Sequence, residues 1–279
     1  MKRGRDKVLE RRSLPLWAFL TIAAILLVVV AVGPALWLAA IAVQPPGGSL
    51  SNPFSGFTLN NFAAAWRDGQ MGIPLLNSCI VTLVRAALNV IIAAMAAYPL
   101  ARMNFRARNL CFVLLLCTMM VPEQVVLVPM FRIVVGLNLY DTLAAIVLPF
   151  AVTAFGIFMC RQAFAAVPAS LEEAARIDGA GALRIWWHVM LPLTAPTLAT
   201  LALFSVIGAW SDLLWPLIVI QSQDKMTLPV AVNALLGTFS TNIRAAYAGA
   251  VLALIPIVLI FILMQRFMKP EMFGGAVKG

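Results

Sequence analysis

Few side chains in this 279-residue chain are equipped for chemistry, and most of those lie inside apolar runs. Asn77 and Arg85 fall in one run, Glu123 and Gln124 in another, and Ser211 and Asp212 in a third, where Trp210 and Trp215 flank them. Carboxylates and amides in such settings bind a polar solute or pair with one another, and their cost in an apolar medium turns them toward a bundle interior or a water-filled route. Asn77 is also suited to bonding between helices, and Arg85 to pairing with Glu123 across two spans. Covalent catalysis has no visible apparatus. The only histidine, His188, stands beside Trp187 without an H-E-x-x-H motif or a nucleophile elbow. No G-x-x-x-x-G-K-[ST] phosphate loop occurs. Cys79, Cys111, Cys117 and Cys160 form no C-x-x-C pair, and are expected as packing residues rather than a disulfide framework or metal site.

A second group of residues sits outside the apolar runs, in LEEAARIDGAGALRIWWHVMLP, residues 171–192. Ser170 and Glu173 spell an S-x-x-E capping box, which predicts a helix from about 171. Ala174, Ala175 and Ile177 favour its continuation, and Gly179 and Gly181 stop it. A second short helix is predicted over about 182–189, ending by Pro192. Small Ala174 and Ala175 let the first helix approach a groove closely, while Glu173 and Asp178 offer charge to a basic partner. Gly179 permits a turn where a side chain would clash or strain. A solvated connector whose acids merely cap a helix is the plainer alternative. Trp186 and Trp187 are expected as interface or membrane-surface anchors.

The elements that must position these groups follow from composition. With 62% hydrophobic and 11% charged residues, the chain departs from soluble domains, where about a quarter of residues are charged. Spans of roughly 20 residues leave room for about six transmembrane helices and no separate soluble domain. Windows of high hydropathy fall near 16–43, 73–100, 110–134, 143–164, 197–221 and 245–265. The predicted organisation is a basic N-terminus over 1–14, a first transmembrane helix over 15–43, an outer loop over 44–72, a core with five further helices over 73–267 containing an inner loop at 165–192, and a tail over 268–279. The first apolar run exceeds the ~7–15 residues of a signal sequence, so it is expected to remain as a span. The outer loop holds a helix-like TLNNFAAAW, read either as a small cap or as a linker. Pro122, Pro129 and Pro256 permit kinks.

The net charge of +9 is dispersed between apolar runs and sets topology; it forms no nucleic-acid face. Fifteen of the 20 Lys and Arg residues fall in segments on one side, among them Arg102, Arg106, Arg108, Arg161, Arg176 and Arg184. This asymmetry places both termini in the cytoplasm.

The spacing Glu173-Ala174-Ala175, three residues, Gly179, nine residues, then Val189-Met190-Leu191-Pro192 resembles the E-A-A-x3-G-x9-I-x-L-P loop of permease subunits in binding-protein-dependent ABC importers. Val189 stands where that motif has Ile. LNSCIVTLVRAALNVIIAAMAAYPLARMNFRARN, MVPEQVVLVPMF, GAWSDLLWPLIVI and the terminal GAVKG are similar to the second permease of maltose and glycerol-phosphate type systems. The resemblance implies an all-α type I importer permease fold in a bacterial-type inner membrane. It also implies a partner permease, two ATP-binding cassette subunits and an extracytoplasmic solute-binding protein. The resemblance makes 171–192 the ATPase-coupling loop, with Glu173, Ala174, Ala175, Asp178, Gly179, Val189, Leu191 and Pro192 at its motif positions. It implies no cofactor of the chain's own, ATP and Mg being held by partner subunits.

For sugars or related polyols, carboxylate or amide acceptors beside an indole suit hydroxyl rims and C–H faces. Asn77, Glu123, Gln124, Trp210 and Asp212 are therefore the candidates along the translocation path. The resemblance leaves open a solute site carried largely by the partner permease. An ion-coupled secondary transporter should show inverted repeats and unwound helices, and an intramembrane enzyme a clustered acid, base or metal set. Neither pattern is evident in the sequence.

Overall fold

A computed structural model describes residues 6–45, 47, 48, 52, 56–238 and 243–265. Among the described residues the regular structure is helical, without strands. The predicted terminal tail and residues 1–5 of the basic N-terminus lie outside them. The chain divides into two units, residues 1–68 with 235–251, and residues 69–234 with 252–279.

In the first unit, α1 (Asp6–Ala42) carries an uncharged stretch, Trp17–Ala42, of mean hydropathy 2.7. A helix apolar on every side is suited to lipid, and Gly33 and Pro34 do not interrupt it. Its last carbonyls lack helical partners. Asn61, on α2 (Asn60–Asp68), supplies one: its side-chain amide donates to Ala42 O at 2.8 Å and to Gln44 O at 2.7 Å. Arg244 donates to Gly48 O. Helix α2 is thus tied to the end of α1, as a cap.

The second unit is organised by α3 (Gly72–Arg102), 31 residues and so about 46 Å long, more than the ~30 Å hydrocarbon core. Small residues on its inner face, including Ala86, Ala93, Ala94 and Ala97, are buried and let other backbones approach. Next come α4 (Arg108–Thr118), α5 (Glu123–Gly136), α6 (Leu143–Val147), a 3₁₀ turn (Leu148–Phe150) and α7 (Ala154–Ala166). Beyond these lie α8 (Ala169–Ile177), α9 (Ala182–Ile185), a π turn (Trp186–Met190), α10 (Leu191–Leu193) and α11 (Ala195–Trp210). The series closes with α12 (Leu214–Val219), a 3₁₀ turn (Gln223–Lys225), α13 (Leu228–Thr238) and α14 (Ile243–Met264), of which residues 235–238 and 243–251 belong to the first unit.

Helices α7 and α11 pack on α3. One buried cluster joins Ala93, Ala97, Tyr98, Cys160, Phe164, Trp186, Met190 and Leu201, near the Arg102 end of α3. Another joins Val81, Val134, Ala145, Ile146, Trp215 and Val219, toward its Gly72 end. Trp215 and Trp186 donate indole N–H to Ala145 O at 2.9 Å and Ala94 O at 3.2 Å, so neither ring carries an orphaned donor. Cys111 and Cys117 are exposed on α4, whereas Cys160 is packed as expected.

Three of the expected continuous spans are broken. Among the described residues three helices are long and apolar enough to cross a membrane, or up to six spans if each bent pair counts as one. The run over 110–134 splits into α4 and α5 with a 101° bend. Pro122 is the reason: its ring disfavours helical backbone at Val121, and it adopts an extended ψ of 134° before α5 begins. Pro129 and Pro256 instead lie inside continuous helices. The run over 143–164 bends by 43° around Thr153. The run over 197–221 stops at Trp210 and resumes only as short α12. Helix α13 lies between the apolar runs over 197–221 and 245–265, where no span is expected from the sequence. Interrupted helices are therefore present, although the sequence alone did not reveal them.

Candidate functional site

The segment 171–192 folds as a helix–turn–helix. Helix α8 starts two residues earlier than predicted, with Pro168 at its N-cap, and no side-chain cap is made there. Ser170 lies within the helix, so the expected capping box does not form. Its C-terminus is capped by backbone alone: Gly179 N–H donates to Arg176 O at 3.0 Å and Ala180 N–H to Ala175 O at 2.9 Å. This is the Schellman pattern, which requires a left-handed residue at the turn. Gly179 supplies it with φ +77°, and nothing lies within 4 Å of where its Cβ would be. Backbone strain, and not a clash, is what excludes other residues.

The two faces of α8 differ. Glu173, Ala174, Ile177, Asp178 and Gly179 are exposed, Ile177 at 87%, and Ala175 is half-buried. Among the described residues Glu173 makes no hydrogen bond or ion pair. A shallow groove runs between α8 and the following segment, lined by Ala174, Ala175, Asp178, His188, Val189 and Pro192. The motif residues Val189 and Leu191 are half-buried beneath it. Trp187 is exposed and Trp186 buried.

The opposite face holds Glu172, which the motif spacing did not single out. Its side chain is 8% exposed. Tyr98 Oη donates to Glu172 Oε1 at 3.2 Å, Arg176 Nη2 donates to the same oxygen at 2.8 Å, and Arg102 Nε lies 3.7 Å from Oε2. The carboxylate raises the Arg176 guanidinium further above its ordinary range, mainly through that hydrogen bond. Arg102 also donates to Phe164 O at 2.6 Å and to Val167 O, clasping the end of α7. The Glu172/Arg176 spacing of four was the available signal.

Two ionisable residues of the apolar runs, Arg85 and Asp212, find each other inside the chain. Arg85 pairs with Asp212 at 2.8 Å, not with Glu123, and its guanidinium lies 4.3 Å from the centre of the Phe150 ring. Glu123 and Gln124 begin α5, where both are exposed. Asn77 donates to Asp224 O at 2.9 Å and Met226 O at 3.0 Å, bonding between elements. Trp210 is buried and donates to Ala253 O at 3.1 Å; Ser211 donates to Ile207 O at 2.7 Å. Neither Trp210 nor Trp215 presents an open ring face beside Asp212.

Asn89, which no sequence motif marks, organises the same region. It donates to Ser205 Oγ at 2.7 Å and accepts from Thr153 N at 2.8 Å and Thr153 Oγ1 at 3.2 Å, tying α3, α7 and α11 together. Interhelical bonds in membranes average only about 0.6 kcal/mol, so the hold comes from several converging on one amide. Arg85, Asn89, Phe150, Thr153, Phe204 and Ser205 line a cavity there.

Near the Gly72 end, Asp141 gathers a third cluster. Its carboxylate accepts from the hydroxyl (2.5 Å) and amide (3.0 Å) of Ser222, the amide of Gln221 (2.9 Å) and Lys225 Nζ (3.0 Å). These donors, Ser222 first, hold Asp141 well below the usual carboxylate range. Its φ of +57° is the turn conformation that Asp tolerates.

Comparison with known proteins agrees with this architecture. Residues 89–274 match the family described as "Binding-protein-dependent transport system inner membrane component". The arabinooligosaccharides transport system permease protein AraQ of Halalkalibacterium halodurans is 33% identical over 279 residues, covering 97% of this chain and all of that protein. The melibiose/raffinose/stachyose import permease protein MelC of Bacillus subtilis is 33% identical, covering 80% and 82%. Among solved structures, a chain of a bacterial ABC transporter involved in the import of the acidic polysaccharide alginate superposes with a TM-score of 0.81 at 22% identity, over 93% of this chain and 98% of that one.

Proposed function

The chain belongs to the family of binding-protein-dependent transport system inner membrane components, and on that premise we propose that it is a permease subunit of an ATP-driven importer of sugars or related polyols. The observation that carries this reading is the exposed face of α8. It presents Glu173, Ala174, Ile177 and Asp178 beside a groove, and ends on the left-handed Gly179 at the family spacing. Such a surface suits docking into a cleft of an ATPase subunit, with small residues for close approach and acids for basic partners. The names of similar permeases, AraQ and MelC, support oligosaccharides as the cargo class.

In the proposed mechanism this chain pairs with a second permease on two ATP-binding cassette subunits, and an extracytoplasmic binding protein delivers the solute. Docking outside and ATP-driven closure inside open the cavity outward; hydrolysis resets it inward. The coupling loop moves as a rigid body with its flanking helices. The chain hydrolyses nothing and carries no cofactor; ATP and Mg stay on the ATPase subunits. Both termini and the Arg102 end of α3 face the cytoplasm of a bacterial-type inner membrane, following the distribution of Arg and Lys. Asn77, Glu123, Gln124, Trp210 and Asp212 line or brace the path, and the internal bonds of Asn77, Trp210 and Asp212 favour bracing.

Interrupted helices also occur in ion-coupled transporters, so the broken spans do not by themselves separate the two readings. The separating experiment is reconstitution of the four-subunit complex in lipid, with ATPase activity measured against the binding protein and arabino-oligosaccharides, melibiose, raffinose and glycerol phosphate. Sugar-dependent stimulation that is lost in Glu173→Ala and Gly179→Asp is expected. Uptake by this chain alone under an ion gradient would refute the proposal.

A further inference from the structure

The covalent chain connects α8 to α7 on one side and to α9 through α11 on the other. Helix α3, the long central helix of its unit, lies 74 residues away from Glu172 at Tyr98. A push on α8 reaches α3 only through non-covalent contacts. Apolar side chains in contact slide over one another at little cost, whereas buried charge-assisted hydrogen bonds fix direction as well as distance.

The contacts present include charge-assisted hydrogen bonds and a buried ion pair, and they converge. Glu172 is the inward-facing acid of α8, and its carboxylate takes Tyr98 Oη at 3.2 Å with Arg102 Nε at 3.7 Å. Both residues belong to the last two turns of α3. Arg102 simultaneously grips Phe164 O and Val167 O at the end of α7, and the Tyr98 and Phe164 rings meet edge to face with centres 6.2 Å apart. One turn back along α3, Ala94 O accepts from Trp186 of the π turn that follows α9. The nitrogen Arg102 Nε is buried and has no hydrogen bond, so the carboxylate is its nearest compensation.

We propose that Glu172 is a positioning residue that latches the coupling helix α8 to the inner end of α3 through Tyr98 and Arg102, so that α3, α7 and α8 move as one body when the ATPase subunits close. The inference rests on the reading of α8 as the docking helix. It separates the roles of two adjacent acids: Glu173 faces the partner, and Glu172 transmits what the partner does to the central helix.

The test uses the assembled complex in nanodiscs, with spin labels at Ala169→Cys, the exposed first residue of α8 and outside the proposed docking residues, and at Met103→Cys after α3, in a chain whose four native cysteines are replaced by serine or alanine. Distances are read nucleotide-free and trapped with Mg-ATP and vanadate. In the otherwise unchanged chain the distance is expected to stay the same in both states. In Glu172→Gln, which keeps shape and removes charge, it is expected to shift or broaden by several ångströms on trapping, and the ATP consumed per solute imported rises several-fold. Tyr98→Phe removes a single hydroxyl and is expected to show a smaller change, so a failure of Glu172→Gln to assemble still leaves a reading. A distance that already changes with nucleotide before either substitution, or one that stays constant in both variants, overturns the latch. Docking is read separately: the Glu173→Ala chain should lose ATPase subunits that the parent chain retains on purification. If it does not, the coupling-helix reading itself fails, whatever the distances show.

Discussion

The guanidinium of Arg85 lies 2.8 Å from the carboxylate of Asp212, joining the middle of α3 to the break that follows α11. Both side chains are more than four-fifths buried, and Asp212 Oδ1 also receives the Trp215 amide at 3.4 Å. The pair closes a seam where helical hydrogen bonding has stopped.

Removing one partner should leave an uncompensated buried charge. Arg85→Ala or Asp212→Ala is expected to destabilise the assembled permease by about 3–5 kcal/mol, and the double substitution Arg85→Met with Asp212→Leu by much less. Thermal unfolding in detergent, followed through the tryptophans, measures both. A loss in the double variant equal to the sum of the two single losses would show that the pair is not coupled.

Asn89 and Gly156 make a second sharp case. A Cβ on Gly156 would meet Asn89 Oδ1 at 3.0 Å, Thr153 Oγ1 at 3.1 Å and Ala93 Cβ at 3.2 Å. Gly156→Ala should therefore force α7 away from α3 and cost about 1–3 kcal/mol. Asn89→Ala orphans the Thr153 amide and should cost about 2 kcal/mol. The same unfolding assay reads both, and a Gly156→Ala variant as stable as the parent would mean that α7 shifts freely.

Gly179 tests conformation apart from contact. Its φ of +77° has open space around the missing Cβ. Gly179→Ala is expected to cost about 1–2 kcal/mol locally, and Gly179→Asn less, because Asn visits the left-handed region more readily. Hydrogen exchange at the Ala180 amide, which closes the turn, follows the difference. Identical exchange in the Gly179→Ala and Gly179→Asn variants would contradict the strain argument.

The Asp141 cluster predicts a pH dependence of definite sign. Its folded value is depressed, so its stabilisation is fully present above the ordinary carboxylate range, ~3.9, and is lost only as pH falls through the lower folded value. The Gln221 and Ser222 amides should stay protected from exchange at pH ~4. In Asp141→Asn that protection should already be reduced at neutral pH. Protection that fades between pH ~5 and ~4 in the parent chain would refute the depressed value.

How far these features were legible varies with their range. The helical class and the left-handed turn at Gly179 are local properties, expressed by apolar run length and by a glycine at fixed distance from an alanine pair. The interruption at Pro122 was half legible: the proline announces a kink, but only packing chose a 101° break there and an unbroken helix through Pro129. Helix α13 was hidden because its apolar residues are too few for a span and sit among turn residues of a loop.

Pairings between distant residues were not legible. Nothing in the sequence prefers Asp212 to Glu123 as the partner of Arg85, since both are acids in apolar runs and the choice depends on which helices cross. For the same reason Glu172 and Glu173, identical neighbours, differ only through the face of α8 that Tyr98 and Arg102 cover. Periodicity and motif spacing by themselves determined that this is a helical membrane chain with a turn-punctuated loop held in water, because those properties follow from local backbone preference and the cost of burying charge. Which acid turns inward to Tyr98 and Arg102, which stays exposed and which pairs with Arg85 was decided by tertiary structure alone, because a charge finds its partner through space and not along the chain.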